Sequence, residues 1–133
     1  MKFEGKRDLW WYLFVLVFNV VTFSIFYKEK SVLIVLIIIF FILIDIVLIS
    51  YTLNNYIILY KDELMIVFGF QKTYISYSEI ISLENTNSKI AGSATSFDRV
   101  LIETSQKKVI ISPKNKDNFI KEMLLKNKDI KMK

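Results

Sequence analysis

The sequence predicts a membrane α + β protein: a two-helix transmembrane hairpin, then a small antiparallel β-barrel or sandwich closed by a C-terminal helix. Three observations predict this fold class. Between Leu9 and Leu53 the charged residues are confined to Lys28, Glu29, Lys30 and Asp45. From Asn54 onward Lys, Arg, Asp and Glu recur throughout, as in a domain exposed to water. This second part consists of short β-type runs and one amphipathic helix.

Two apolar segments, residues 9–27 and 32–53, each have about the 20 residues that a membrane-spanning helix needs. The remaining segment 55–133 is too short to wrap two such helices in a soluble core. A signal peptide has a shorter apolar region and an A-x-A-like cleavage site, which the first segment lacks. We therefore expect residues 1–54 to form the hairpin and residues 55–133 to form a separate domain.

The charges that flank the two segments predict their direction. Lys2, Lys6 and Arg7 precede the first segment and many Lys follow the second, whereas the connecting turn holds only Lys28 and Lys30. Because positive flanks stay inside, both termini should lie in the cytoplasm of a bacterial cell and the turn outside its plasma membrane. Aromatic residues at the ends of the segments fit the two interfaces.

Asp45 is the one charged residue inside a predicted span, and its cost of roughly 3 kcal/mol is outweighed by the surrounding aliphatic side chains. A hairpin folded about residues 29–30 places Asp45 level with Phe14, near Tyr12 and farther from Asn19. Ionisable residues in spans often mark a proton path or a partner-helix contact. The alternative is a protonated or hydrogen-bonded Asp45 that reaches toward Tyr12 or an interfacial water.

The β-type runs are bounded by turn residues, and we expect strands at 56–60, 64–68, 72–76, 80–84, 99–104 and 108–112. Ser112 suits a helix N-cap with Pro113 at the first helical position, which predicts a helix over about 113–127. One side of that helix carries Phe119, Ile120 and Met123. An amphipathic helix after many short strands is typical of a small barrel or sandwich that the helix plugs.

Four successive motifs in residues 55–125 resemble the bacterial pleckstrin-homology-like domains of the YyaB-like type. They read LMIVFG at 64–69, ISYSEI at 75–80, SATSFDRVLI at 93–102 and ISPKNKDNFI at 111–120. Thr95 departs from the pattern, since the family usually has an apolar residue there. The resemblance implies a PH-like fold in a membrane setting and brings no established catalytic or ligand residues with it.

Residues 85–96 form a small, polar, Gly-containing stretch that is able to cradle a phosphate with its backbone N–H groups, although most such loops are only connections. The candidate contacts are Asn85, Asn87, Ser88, Lys89, Gly92 and Ser93. Asp98 and Arg99 point to opposite faces of a strand, so we expect Asp98 to close the loop and Arg99 to meet Glu103.

The C-terminal tail is rich in lysine and is either a solvated terminus or a surface facing anionic lipid headgroups. Its candidate membrane-facing residues are Lys126, Lys128, Lys131 and Lys133. We expect no nucleic-acid binding, since residues 54–133 have thirteen Lys or Arg against nine Asp or Glu, a net charge of only +4, with no clustered Arg and no recognition motif.

The composition excludes several chemistries. The chain has no Cys, no His and three Gly, so disulfides, Cys/His zinc sites, imidazole catalysis and glycine-rich phosphate loops are excluded. No EF-hand spacing or G-x-S-x-G motif is present either. Residue types alone still allow a carboxylate pair, a Ser-Lys dyad or a carboxylate metal site, but no pattern in the sequence points to one. We expect a non-enzymatic protein with no metal and no cofactor.

The favoured function is a binding or scaffold module presented at the inner face of the membrane, with a lipid, a membrane protein or a peptide as partner. Small basic two-span proteins with PH-like domains are similar to self-immunity proteins against membrane-active bacteriocins, which is a second possibility. A third is an accessory subunit of a transporter, with Asp45 facing partner helices. The oligomeric state stays open.

Overall fold

A computed structural model describes residues 1–28, 32–86 and 94–133 of the chain. In these residues two long helices lie between the first strand and the rest of a unit of two four-stranded sheets and a shorter helix. We call the sheets together with the shorter helix the β-unit. The helices are α1 (Leu9–Lys28), α2 (Val32–Leu53) and α3 (Lys116–Lys126). The strands are β1 (Lys2–Glu4), β2 (Asn55–Leu59), β3 (Glu63–Phe68), β4 (Gln71–Ser76), β5 (Ile80–Thr86), β6 (Arg99–Thr104), β7 (Lys108–Ile111) and β8 (Lys131–Met132).

Helices α1 and α2 lie side by side and antiparallel. The indole Nε1 of Trp11 donates a hydrogen bond to the hydroxyl of Thr52 at 2.9 Å, and the rings of Phe18 and Phe41 lie 5.3 Å apart. Most of their other large apolar side chains are exposed. Between Leu33 and Leu53 α2 is long and apolar enough to cross a membrane. The apolar stretch of α1, Leu9–Ile25, is shorter.

The first sheet has the order β1-β2-β3-β4 and is antiparallel throughout. Strand β1 comes before both helices in the chain, yet it pairs with β2, which follows them, in the register Phe3 opposite Ile57. The residues on either side of the helix pair are thereby held in one sheet. This pairing extends the β-unit into residues that we assigned to the hairpin segment 1–54.

The second sheet has the order β7-β6-β5-β8 and is mixed. Strands β5, β6 and β7 form an antiparallel meander, and the short strand β8 pairs in parallel with β5, Ser82 opposite Lys131. The C-terminal tail, which we considered as a solvated terminus, is therefore partly a strand. Strand β5 also runs to Thr86, two residues beyond the predicted end.

The core of the β-unit lies between the sheets and α3. Phe119 and Met123 of α3 are fully buried beside Leu64 of the first sheet and Ile102 of the second. Phe3 of β1 packs edge-on against Phe119, with ring centroids 5.4 Å apart. Apolar burial of this kind is the main stabilising contribution in a domain of this size.

Helix α3 begins later than the sequence predicts. Its N-cap is Asn115, whose side chain accepts a hydrogen bond from the backbone N–H of Asn118. The expectation of an N-cap at Ser112 is wrong because residues 112–114 are held by the N-terminal segment. Pro113 bridges to Gly5, and the N–H of Lys114 donates to the carbonyl oxygen of Glu4.

Candidate interaction site at the junction of helices and sheets

Both long helices meet the β-unit at the same end. We call the meeting point the junction and define it by residues 4–8, 54–55, 69–70 and 94–98. Strands β2, β3 and β6 each have one terminus there. The opposite end of the β-unit, with the end of β4 and the β6–β7 turn, is called the far end.

A buried chain of hydrogen bonds ties the N-terminal segment to the rest of the junction. The amide of Asn55 donates to the hydroxyl of Thr95 at 2.9 Å, and that hydroxyl donates to the carbonyl oxygen of Lys6, also at 2.9 Å. Asn55 and Thr95 are buried. A Cβ atom at Gly5 would overlap the side chain of Asn55, so this close approach requires glycine. Thr95, the departure from the family pattern, therefore has a structural role as a buried hydrogen-bonding residue.

Asp8 fastens the 94–98 segment to the start of α1. Its carboxylate accepts one hydrogen bond from the hydroxyl of Ser96 and another from the backbone N–H of Phe97, both at 2.9 Å. Its backbone carbonyl accepts from the N–H of Trp11. A negative charge in this position also stabilises the N-terminus of α1.

Asp98 lies between two lysines at the junction. Its carboxylate oxygens accept from Lys6 at 2.8 Å and from Lys116 at 2.5 Å. The hydrogen bond from Lys116, then that from Lys6, lowers the pKa of Asp98, and the hydrogen bond to Asp98 raises the pKa of Lys6. Asp98 thus links α3 to the N-terminal segment, in addition to closing its own loop through a hydrogen bond from its N–H to the hydroxyl of Ser96.

Arg99 does not pair with Glu103 as expected. Its Nε donates to the carbonyl oxygen of Ser96, and its guanidinium lies 5.5 Å from the ring of Phe97. Glu103 instead binds Lys133 at 2.6 Å and Lys108 at 3.1 Å. Residues four apart on a strand are separated by about 13 Å, which puts Arg99 and Glu103 beyond direct reach.

The lysine-rich tail lies away from the junction. The ammonium of Lys126 is 5.9 Å from the ring of Tyr77. Tyr77 directly follows β4, at the far end of the β-unit. Burial, followed by the charges of Asp62 and Glu63, raises the pKa of Tyr77 to about 12. Lys131 lies in β8.

The last tail residue has a specific partner in the second sheet. Hydrogen bonds from Lys133, Ser82 and Lys108, in that order of effect, lower the pKa of Glu103 to about 2. The hydrogen bond to Glu103 in turn raises the pKa of Lys133. This lysine is therefore engaged within the β-unit.

Asp45 has a partner in α1. Its Oδ1 accepts a hydrogen bond from the amide of Asn19 at 3.1 Å, and the same amide donates to the carbonyl oxygen of Val15. The prediction that Asn19 is the more distant neighbour of Asp45 is wrong, since the Asn19 side chain contacts Asp45 directly. Within the described residues no hydrogen bond joins Asp45 to Tyr12.

Tyr12 instead borders two concave surfaces. One is an apolar groove of about 350 Å³ between α1 and α2, lined by Tyr12, Val15, Leu16, Asn19, Ile49, Thr52 and Leu53. The other is a cavity of about 330 Å³ at the junction, lined by Glu4, Gly5, Lys6, Arg7, Tyr12 and Lys114. The second is the more informative, since three of its lining residues are cationic. No sequence pattern predicts this cavity, because residues 4–7 and Lys114 are distant in the chain.

The predicted loop site is only partly described. Asn85 is a residue of β5 and pairs with Val100 of β6. Asn87, Ser88, Lys89, Gly92 and Ser93 lie outside the described residues. In the part of the chain that is described, no group of three or more Asp or Glu side chains is placed to hold a metal ion.

Comparison with known proteins links most of the β-unit to one family. Residues 54–127, more than half of the chain, match the family model described as Bacterial PH domain. The comparisons with curated proteins and with solved structures found no match. The match spans β2 to the end of α3 and leaves β1, α1 and α2 outside.

Proposed function

The chain belongs to the bacterial PH domain family, and on that premise we propose that it is a non-enzymatic integral membrane protein. In this proposal both long helices cross the plasma membrane and hold the PH domain at its cytoplasmic face as a binding or scaffold module.

The exposure of α2 supports a membrane environment. Only 17% of its apolar stretch is buried within the structure. Leu36, Phe40 and Leu43 are each more than half exposed. Each large apolar side chain left in water forgoes roughly 1.5–3 kcal/mol of transfer free energy, which a lipid environment recovers.

The pairing of β1 with β2 is the observation that carries the proposal of two spans. Residues 2–4 precede α1 and residues 55–59 follow α2, yet they lie in one sheet. If α2 crosses the bilayer, the chain must cross a second time for the two strands to meet, and α1 is the segment available. Its 20 residues correspond to about 30 Å of helix, the thickness of the hydrocarbon layer.

The charges near the junction favour a cytoplasmic β-unit. Lys6 and Arg7 lie just before α1, and Lys2 lies in β1, at the start of the same N-terminal segment. Positive residues that flank a span closely are retained inside the cell. The PH domain then lies in the cytoplasm with its partner surface tethered to the membrane, whatever that partner is.

Paired reporters fused after Lys133 test this proposal. Green fluorescent protein should fluoresce at that position and alkaline phosphatase should be inactive, because both report a cytoplasmic C-terminus. The full chain should also stay in the membrane fraction after alkaline carbonate extraction. An active phosphatase fusion, or release of the chain by carbonate, would refute the proposal.

A further inference from the structure

Two exposed aromatic side chains stand at the junction, one beside each long helix. Phe97 is 42% exposed and Phe70 is 67% exposed, although the residues that precede them, Ser96 and Gly69, are buried. Neither ring contributes to the core of the β-unit. Both rings lie next to the ends of α1 and α2 that meet the β-unit.

Phe97 is held against the first turn of α1. Its backbone N–H donates to the carboxylate of Asp8, and its ring stacks on Trp10 with centroids 5.3 Å apart. Trp10 is itself 37% exposed. The two rings form one aromatic surface at the level where α1 begins.

Phe70 is held against the end of α2. The preceding Gly69 donates its N–H to the carbonyl oxygen of Asn54 at 2.7 Å and adopts a φ of 61°. A Cβ atom at Gly69 would overlap the ring of Tyr51, which stacks on Phe68 at 4.6 Å. The β3–β4 turn therefore presses against α2 and directs Phe70 outward there.

The length of α2 sets the depth of both rings. The apolar stretch Leu33–Leu53 has 21 residues, or about 31 Å of helix, and the hydrocarbon layer is about 30 Å thick. Leu53 therefore lies at the edge of the hydrocarbon, and Phe70 follows a residue hydrogen-bonded to Asn54. Headgroups occupy about 5–7 Å on each side of the hydrocarbon, so both rings reach this layer.

The charges around the junction complement lipid phosphates. The 330 Å³ cavity beside Tyr12 is lined by Lys6, Arg7, Lys114 and Glu4; Lys6 also pairs with Asp98 and Lys114 with Glu4, which leaves the charge of Arg7 in surplus. Arg7 Nε is buried there and makes no hydrogen bond within the described residues. A basic cavity at headgroup depth fits the anionic phosphate layer.

Resting on the proposed membrane insertion, we propose that the junction is a lipid-contact surface, in which Phe70 and Phe97 insert into the headgroup layer of the inner leaflet. The junction end of the β-unit, with the termini of β2, β3 and β6, then faces the membrane. The far end, with the β6–β7 turn, points into the cytoplasm. This replaces the lysine-rich tail as the surface that faces the membrane.

Spin labels test this orientation without a background signal, because the chain has no cysteine. Full-length Gln71→Cys and Gln106→Cys variants are matched, since both residues are exposed, Gln71 next to the junction and Gln106 at the far end. Each is placed in nanodiscs of phosphatidylethanolamine and phosphatidylglycerol. A water-soluble nickel chelate should relax the label at 71 about fivefold less than the label at 106, because the headgroup layer restricts its access.

The aromatic rings themselves are tested in the Gln71→Cys background. Changing both Phe70 and Phe97 to Ala should raise the nickel accessibility of the label at least about twofold, since burial of each ring favours the inserted orientation. The control Tyr60→Ala removes an exposed ring at the far end and should leave it unchanged. Circular dichroism verifies that the variants fold.

A label at Phe40→Cys, midway along α2, separates the two proposals. It should be accessible to oxygen and protected from nickel if α2 is inserted. Protection at 40 with equal nickel accessibility at 71 and 106 would overturn the lipid-contact surface and leave the proposed function standing. Nickel accessibility at 40 equal to that at 106 would refute both.

Discussion

Replacing Phe3 with Ala should destabilise the whole β-unit, although Phe3 lies outside the residues that match the PH family. Its side chain is 5% exposed and packs edge-on against Phe119, which is fully buried. Truncation of a buried Phe to Ala costs about 3–5 kcal/mol, of which the aromatic pair supplies about 0.5–1.5 kcal/mol. Since domains are stable by only about 5–15 kcal/mol, the loss is a large fraction of the total.

Urea unfolding of the full chain in detergent, followed by near-ultraviolet circular dichroism and pulse proteolysis, measures this loss. Phe70→Ala is the matched control: the same substitution at a ring that is 67% exposed should cost less than about 1 kcal/mol in detergent. Equal, small effects of the two substitutions would show that β1 is not part of the core. An even number of membrane crossings would then no longer follow from the structure.

Three further predictions concern single contacts. Asp45→Leu should weaken the α1–α2 pair by about 0.6 kcal/mol, a typical value for hydrogen bonds between membrane helices, and Asp45→Asn should weaken it less. Steric-trap unfolding in bicelles measures both losses, and a larger loss with Asn than with Leu would contradict the prediction. Because the pKa of Glu103 falls from 4.5 to about 2 on folding, its stabilising effect is complete above pH 4.5 and disappears as the pH falls toward 2. Glu103→Gln should thus reduce the difference between urea midpoints at pH 6 and pH 3, and an unchanged difference would refute the assignment. Gly5→Ala should destabilise the β-unit by about 1–3 kcal/mol, and adding Asn55→Ala should recover part of this loss of stability by removing the overlap. Strictly additive losses of stability in thermal unfolding of the single and double variants would contradict the predicted overlap.

Local patterns predicted most of the β-unit. Strands β2, β3, β4, β6 and β7 lie within about one residue of their predicted bounds, because each is marked by turn residues and by period-2 alternation. The family resemblance was likewise confirmed, since its motifs lie within the matched residues 54–127. Predictions from local signals succeeded where neighbouring strands are also neighbours in sequence.

Strands β1 and β8 could not be predicted in the same way. β1 has three residues and pairs with a strand more than fifty positions later, so no turn signal announces it. β8 has two residues and joins β5 in parallel. The N-cap of α3 is Asn115 and not the predicted Ser112, because Pro113 pairs with Gly5, a residue distant in the chain.

Sequence patterns also did not predict the junction. Its contacts join residues 5–8 to residues 54–55 and 94–98, and the hydrogen bond between Trp11 and Thr52 likewise joins residues that are distant in the chain. A linker length alone gives a symmetric hairpin and therefore the wrong neighbour for Asp45. Asp98 was recognised as structural, but its two lysine partners lie far from it in the chain.

Cysteine accessibility in intact cells tests the central claim, two membrane crossings that return the chain to one sheet. Lys2→Cys and Lys30→Cys are matched substitutions on either side of α1, and Ser105→Cys reports on the β-unit. A membrane-impermeant maleimide should label position 30 in intact cells and positions 2 and 105 only after lysis. Labelling of positions 2 and 30 on the same side of the membrane would contradict the account.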